Sequence, residues 1–407
     1  MADRGRLKTS SWGADFPVVT RNHQLTTVLL ALIALLTSSL SPASATEGDG
    51  TEVVVEGGGW GHAIGMSQYG AFGQALSGSS AEDITGYYYA GSSTAQIADQ
   101  VGADSWLVTD PEPLWVNLVA SQTVVGFSAL AGPLKVCHTG SGGCDFTAEP
   151  GEAWRFVTLG DGTCQFLADG EEVTSPGQCK ASVKGMSPSG ARIQLNGLDP
   201  SRDEFARGSL RIRTPDAGAK LHASLEIAVE EYLYGLAEMP FSWHPEALQA
   251  QALAGRSYAT WRMVSRGPEP DFPDSRKSQC WCHMYATTAD QSYSGWANEV
   301  VATAPNWKAA VDATASTVIT HPNASQANIV AAFYSSSTGG RTENNEDIWG
   351  GNPVSYLRSQ PDPWSQEPAV NNPFGTWAFP FSEAELAAAY SVDKVHGMEV
   401  VSRYTSG

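Results

Sequence analysis

Basic residues are scarce in this 407-residue chain: 24 Lys and Arg stand against 43 Asp and Glu, a net charge of −19. That balance argues against nucleic acid or an anionic membrane surface as a partner, since a polyanion needs a basic face to bind. Charge of either sign is thin, at 16% of residues, while 42% are hydrophobic, enough for a packed core. Beyond residue 46 there is no run long and apolar enough to span a bilayer. Catalytic signatures are missing too. No Gly-x-Ser-x-Gly elbow surrounds Ser67 and no His-Glu-x-x-His occurs, which weakens serine-hydrolase and zinc-protease readings. Cysteines number six, and Cys280-Trp281-Cys282-His283 has no second Cys/His pair at zinc-finger spacing. No metal and no other cofactor is expected.

What is present begins with an export pattern. Arg4, Arg6, Lys8 and Arg21 precede an uncharged, Leu-rich stretch from Leu25 to Leu40, and Ala43-Ser44-Ala45 offers a small-x-small cleavage site. Residues 1–45 are therefore expected to be a signal peptide and the protein secreted or wall-associated; the alternative is a membrane anchor over residues 25–45. Six cysteines in an exported chain suggest disulfides. Cys137 and Cys144 bracket a Gly-rich turn, and Cys164 and Cys179 bracket two turn dipeptides, so both pairs are expected to close locally. Cys280 and Cys282 read as a disulfide or free thiols rather than metal ligands.

The pattern along the chain predicts an α+β protein, a mixed α/β core with an inserted all-β accessory module. Residues 51–110 hold a Gly-rich motif after the strand-like Val53-Val54-Val55, with a helix from Tyr69 to about Leu76. Residues 111–215 look all-β, with short runs such as Leu114–Val119, Arg155–Leu159 and Ser209–Arg213 separated by Asp-Gly and Asn-Gly turns. Residues 218–407 are mixed: a strand near Leu225, a short helix at Glu230–Leu236, a long helix opened by Pro245, a helix at Trp307–Thr314, and strands at Ser316–Thr320 and Ile329–Ser335. Met398–Tyr404 reads as a last strand that enters a turn without a returning partner, a pattern expected of a truncated or split version of a longer chain.

Three groups could carry chemistry. In Ala237-Glu238-Met239-Pro240, Pro240 ends the short helix and leaves Glu238 on a helix-to-loop corner between apolar segments. Desolvation there would raise its pKa and let it protonate a leaving-group oxygen, whereas the bland alternative is a helix-end Glu in solvent. The polar loop Gly339–Gly350, capped by Trp349, mixes amides, acids and Arg as sugar sites do, or is a solvated turn. Gly61-His62-Ala63-Ile64-Gly65-Met66-Ser67-Gln68-Tyr69-Gly70-Ala71 places four hydrogen-bonding side chains among glycines that permit close backbone approach.

Together these groups resemble the sporulation stage II protein D / amidase enhancer LytB family. The resemblance runs from about Leu225 to Trp364. It rests on Glu230-Glu231-Tyr232-Leu233, Ala237-Glu238-Met239-Pro240, Glu246-Ala247-Leu248-Gln249-Ala250-Gln251-Ala252, Arg256-Ser257-Tyr258-Ala259, Asp290–Trp296, Thr338-Gly339-Gly340 with Thr342-Glu343-Asn344, Glu346–Gly350 and Tyr356-Leu357-Arg358-Ser359. The Gly-rich stretch is a further family motif. There are departures. That motif usually ends the domain in the sporulation members and here it comes first, as in a circular permutation. Ala63 replaces a Gly, Ala228-Val229 replaces a Pro context, and Gly255 stands where Ala is common. Ala289-Asp290 falls where some members have a zinc-ligating His-Cys pair, so zinc is not carried over.

The resemblance implies a lytic transglycosylase that cleaves MurNAc–GlcNAc bonds of peptidoglycan glycan strands with anhydro-ring formation. It implies Glu238 as the catalytic acid, and His62, Ser67, Gln68 and Tyr69 as substrate-positioning residues. Thr338, Arg341, Glu343 and Asn344 are candidates for the opposite wall. The family's other half implies the alternative, a non-catalytic wall-binding protein that enhances a cell-wall amidase.

Overall fold

The computed structural model describes residues 52–138, 143–187, 189–215 and 219–395. The expected leader and the expected strand at Met398–Tyr404 lie outside these residues. The fold is α+β, as its pattern predicts.

Alternating and β-branched runs between residues 114 and 227, with the short strand Met284–Tyr285, build two seven-stranded sheets. The first is ordered Glu171–Glu172, Thr163–Ala168, Ala153–Thr158, Val124–Ala131, Arg192–Leu195, Glu204–Phe205, with Gly177–Gln178 also on Thr163–Ala168. The second is ordered Met284–Tyr285, Leu114–Gln122, Leu221–Ile227, Ser209–Arg213, Ala181–Lys184, Leu134–His138, Gly143–Ala148. Every pairing is antiparallel except Met284–Tyr285, which lies parallel to Leu114–Gln122. The period of two is plain in Ala153–Thr158, where Trp154 and Phe156 are buried and Ala153 and Arg155 exposed. Leu221–Ile227 shows no such alternation and is buried almost throughout, the mark of a strand covered on both faces.

The reason is a shared core. Phe127, Phe156 and Phe166 of the strands belong to the same buried cluster as Tyr232, Leu233, Leu248, Tyr258 and Trp307 of the helical part. Disulfides Cys137–Cys144 and Cys164–Cys179 close the two local loops, and Cys280–Cys282 forms the third.

The helical part centres on Pro245–Arg266. Proline at its first position is preset for a helix, His244 caps it through Nδ1, and Gly267 at φ 72° ends it. Alanines and Gly255 keep its buried faces narrow. Helices Gln68–Leu76, Ala81–Tyr88 and Ala304–Ala313 and strand Thr317–Thr320 therefore pack against it. No helix among the described residues is long and apolar enough to cross a membrane.

The Gly-rich segment lies along residues 333–343. Met66–Ser67 pairs in parallel with Tyr334–Ser335, Trp60 bridges Ser337 and Ile64 bridges Glu343. Ser93–Gln96 pairs with Thr317–Thr320. The strand expected over Ile329–Ser335 shortens to Tyr334–Ser335, because the segment leaves one partner, Ile319 and Thr320, before it reaches the next, Met66. Likewise the expected polar loop contains the helix Asn345–Trp349, ended by Gly350 at φ 74°.

A second compact unit comprises, among the described residues, 52–56 and 378–395. It holds most of the strand pair Glu52–Gly57 and Trp377–Ser382 and the helix Glu383–Tyr390, which opens on a capping box between Ser382 and Glu385.

Candidate functional site

Glu238 sits on the corner its proline predicts. Ala237 donates its N–H to the Ser292 carbonyl at 2.9 Å, and the N–H of Ser292 returns to Glu238 Oε1. The turn after it is pinned by Phe241, which stacks on Trp307 with ring centroids 5.4 Å apart. The carboxyl remains partly exposed, yet its surroundings are apolar enough that burial pushes its pKa up to about 7. Hydrogen bonds from the Ser292 N–H and the Tyr334 hydroxyl favour the charged form and are outweighed. The solvated helix-end alternative is thereby set aside.

Behind Glu238 runs a chain of polar groups, with Gln291 and Tyr232 buried and Tyr334 half-buried. Gln291 Nε2 donates to the Tyr334 hydroxyl at 2.8 Å, and Gln291 Oε1 accepts from the Tyr232 hydroxyl at 3.2 Å. With both ends of the amide engaged, its orientation is fixed by the network. Burial, reinforced by the Glu238 charge, pushes both phenols well above the usual range, so they stay protonated. The loop carrying Gln291 and Ser292 is anchored by buried Asp290. Its Oδ1 accepts from Tyr258 at 2.7 Å and pairs with Arg262 at 2.8 Å, while Oδ2 accepts the Tyr285 N–H at 2.9 Å. With both Asp290 oxygens so engaged, the residues at this place do not fit a zinc ion. Among the described residues, no group of three or more His, Cys, Asp or Glu side chains gathers as a metal site.

His62 meets Glu238 through Tyr334. Its Nδ1 accepts the Ile64 N–H at 3.0 Å, and the ring also hydrogen-bonds the Tyr334 main chain. Phe333 and Trp349 flank it, with centroids 6.2 and 5.0 Å away. Burial pulls its pKa down to about 4, so at neutral pH it is an uncharged strut between the Gly-rich turn and the strand behind the acid.

The other predicted residues fall into two groups. Ser67 caps helix Gln68–Leu76 by accepting the Gly70 N–H at 3.1 Å, and Gln68 donates to Gln251 at 3.1 Å, both inside the protein. Thr338 is buried against Asp362, which also accepts from Tyr88 at 2.7 Å. Glu343 is buried, and its N–H donates to the Ala63 carbonyl at 2.8 Å. Tyr69, Arg341 and Asn344 are partly exposed. Tyr69 packs edge-on to Trp243, Arg341 reaches Ser359 at 3.0 Å, and Asn344 bridges Asp347 and the Ser359 N–H. Tyr232, Gln291, Ser292 and Tyr334 escaped sequence reasoning as site residues. The first three lie within motifs that carry the family resemblance, the only signal that could have pointed to them.

Comparison with known proteins bears on this site. The family described as SpoIID, stage II sporulation protein, matches residues 217–321, which contain Glu238 and Gln291. Stage II sporulation protein D of Bacillus amyloliquefaciens is 27% identical over 187 residues, covering 46% of this chain and 52% of that protein. Its counterpart in Bacillus subtilis is 30% identical over 185 residues, covering 44% and 50%. The amidase enhancer of Bacillus subtilis is 30% identical over 149 residues, 37% of this chain and 16% of that protein. The chain thus spans about half the length of the two sporulation proteins it matches. No solved structure is significantly similar to it.

Proposed function

We propose, from the match of residues 217–321 to the stage II sporulation protein family model, that this protein is a peptidoglycan lytic transglycosylase with Glu238 as its acid and base. The observation that carries the reading is the partly exposed Glu238 carboxyl with a pKa of about 7, supported by Ser292 and Tyr334. Such a group is present in both protonation states near neutral pH, which a residue with two successive roles needs.

The protonated carboxyl gives its proton to the glycosidic oxygen as the bond to the muramic acid C1 breaks. The resulting carboxylate, stabilised by the two hydrogen bonds, takes the proton of the C6 hydroxyl as that oxygen attacks C1 and closes the 1,6-anhydro ring. No water is consumed. Hydrolysis would call for a second carboxylate, and Asp290, two residues before Ser292, is held by Arg262 and Tyr258. Among the residues proposed to position the strand, His62, Tyr69, Arg341 and Asn344 have exposed surface for contact with it, while Ser67, Gln68, Thr338 and Glu343 shape the walls from within.

The similarity to an amidase enhancer favours a second reading, a wall-binding partner of a cell-wall amidase. One assay separates the two. The protein and its Glu238→Gln variant are incubated with peptide-free glycan strands, and anhydromuramic ends are sought by mass spectrometry. The transglycosylase reading expects such ends from the wild type alone. Wall binding without anhydro ends leaves the enhancer reading.

A further inference from the structure

Beside the acid lies a row of aromatic rings that the proposed chemistry does not use. Phe72 stacks on Trp243 at 4.6 Å, Trp243 meets Tyr69 at 4.9 Å, Tyr69 meets Phe374 at 6.3 Å, and Phe374 stacks on Trp60 at 5.1 Å. All five rings are partly exposed. They come from four separate stretches of chain, so no local sequence pattern accounts for their alignment. Two anchors tie the row to the acid. The Trp243 N–H closes the turn after Glu238 by donating to the Pro240 carbonyl at 3.1 Å, and the Tyr69 N–H donates to the carbonyl of Ser336, two residues beyond Tyr334, at 3.0 Å.

The chain on either side of Phe374 lines a hollow of about 390 Å³, with Gln366, Glu367, Asn371, Asn372 and Thr376 among its walls. Nothing basic lines it and Glu367 stands at its wall, so it disfavours an anion and suits a ligand of hydroxyls and amides. Rings with apolar faces, followed by amides and hydroxyls, match the alternating apolar and hydroxyl-rich character of a sugar polymer bearing N-acetyl groups.

We propose that the row from Trp243 to Trp60, with the amide-lined hollow beside Phe374, is an extended binding platform for a β-linked N-acetylhexosamine strand. It would make the protein prefer long strands over short ones. The proposal rests on the glycan reading of the site but not on cleavage.

The test uses the full chain carrying Glu238→Gln, with chitobiose and chitohexaose as probes in calorimetry. Chitohexaose is expected to bind at least tenfold more tightly than chitobiose. Trp60→Ala and Phe374→Ala should each remove most of that advantage and leave chitobiose affinity unchanged, while Trp60→Phe retains it and controls for folding. Equal affinity for the two oligomers, or a hexaose affinity unmoved by both Ala variants, overturns the platform. The two ideas fail separately. Anhydro ends without any length preference would leave cleavage standing and remove the platform, and a ring-dependent length preference without anhydro ends would do the reverse.

Discussion

The hydroxyl of Tyr334 hydrogen-bonds the carboxyl of Glu238, while the main chain of the same tyrosine holds the His62 ring. One residue thus joins the Gly-rich motif to an acid far along the chain. Tyr334 is therefore where the carboxyl can be tuned without being removed.

Replacing Tyr334 by Phe withdraws a donor that favours the charged carboxylate. A hydrogen bond to a charged group contributes about 1.5–3 kcal/mol, so the Glu238 pKa should climb from about 7 by about 1 or more. Activity that needs the protonated acid falls as pH rises through that pKa. The alkaline limb of the pH–rate profile should move upward by about the same amount. An unmoved limb would mean that Tyr334 does not tune the acid.

Glu238→Gln should abolish strand cleavage and yet stabilise the fold at alkaline pH. The folded pKa of about 7 lies above the ordinary value of 4.5, so the folded state holds the proton more tightly. Below pH 4.5 both states are protonated and there is no penalty. Stability then declines as pH rises through the window to 7, by about 3 kcal/mol. Gln does not titrate. In chemical denaturation the variant should exceed wild type by about 3 kcal/mol at pH 8 and nearly match it at pH 4.5. An advantage of the same size at both values would contradict the burial of this carboxyl.

Ala63 lies in the left-handed region at φ 57°, and its carbonyl accepts from Glu343. An L-residue pays about 1–2 kcal/mol there, and glycine returns part of that gain through unfolded-state entropy. Ala63→Gly should stabilise the protein by about 0.5–1 kcal/mol. Thermal unfolding would register this as a higher midpoint; a lower one would show that the methyl group packs productively.

Gly70 faces a different constraint. Its φ is ordinary, but a Cβ would run into the Tyr88 hydroxyl and the Asp362 carboxylate. Because Asp362 also holds Thr338, Gly70→Ala should cost about 1–3 kcal/mol and loosen the Thr338-Gly339-Gly340 turn. Limited proteolysis and denaturation would detect this, and a variant as stable as wild type would show that the carboxylate can move aside.

The sequence showed what depends on neighbours in the chain. Pro240 marked the corner at Glu238, turn dipeptides marked the hairpins, and short spacing marked two of the disulfides. It hid what depends on distant partners. Tyr232, Gln291 and Tyr334 look ordinary until the fold aligns them behind the carboxyl. Ser67 and Gln68 read as ligand contacts because a polar side chain in a Gly-rich turn looks the same whether it faces a substrate or a helix end. Ala63 read as a departure from a motif, and only its backbone angle shows what a glycine would relieve.

The core that runs from Phe127 and Phe166 beneath the strands to Tyr232 and Trp307 has a consequence for how the molecule can be divided. Leu221–Ile227 is a common wall with no solvent side, and its far end leads directly into the helix before Glu238. An acid-bearing fragment stripped of the sheets would expose that wall to water. The strands are thus less an appendage than the floor on which the acid stands.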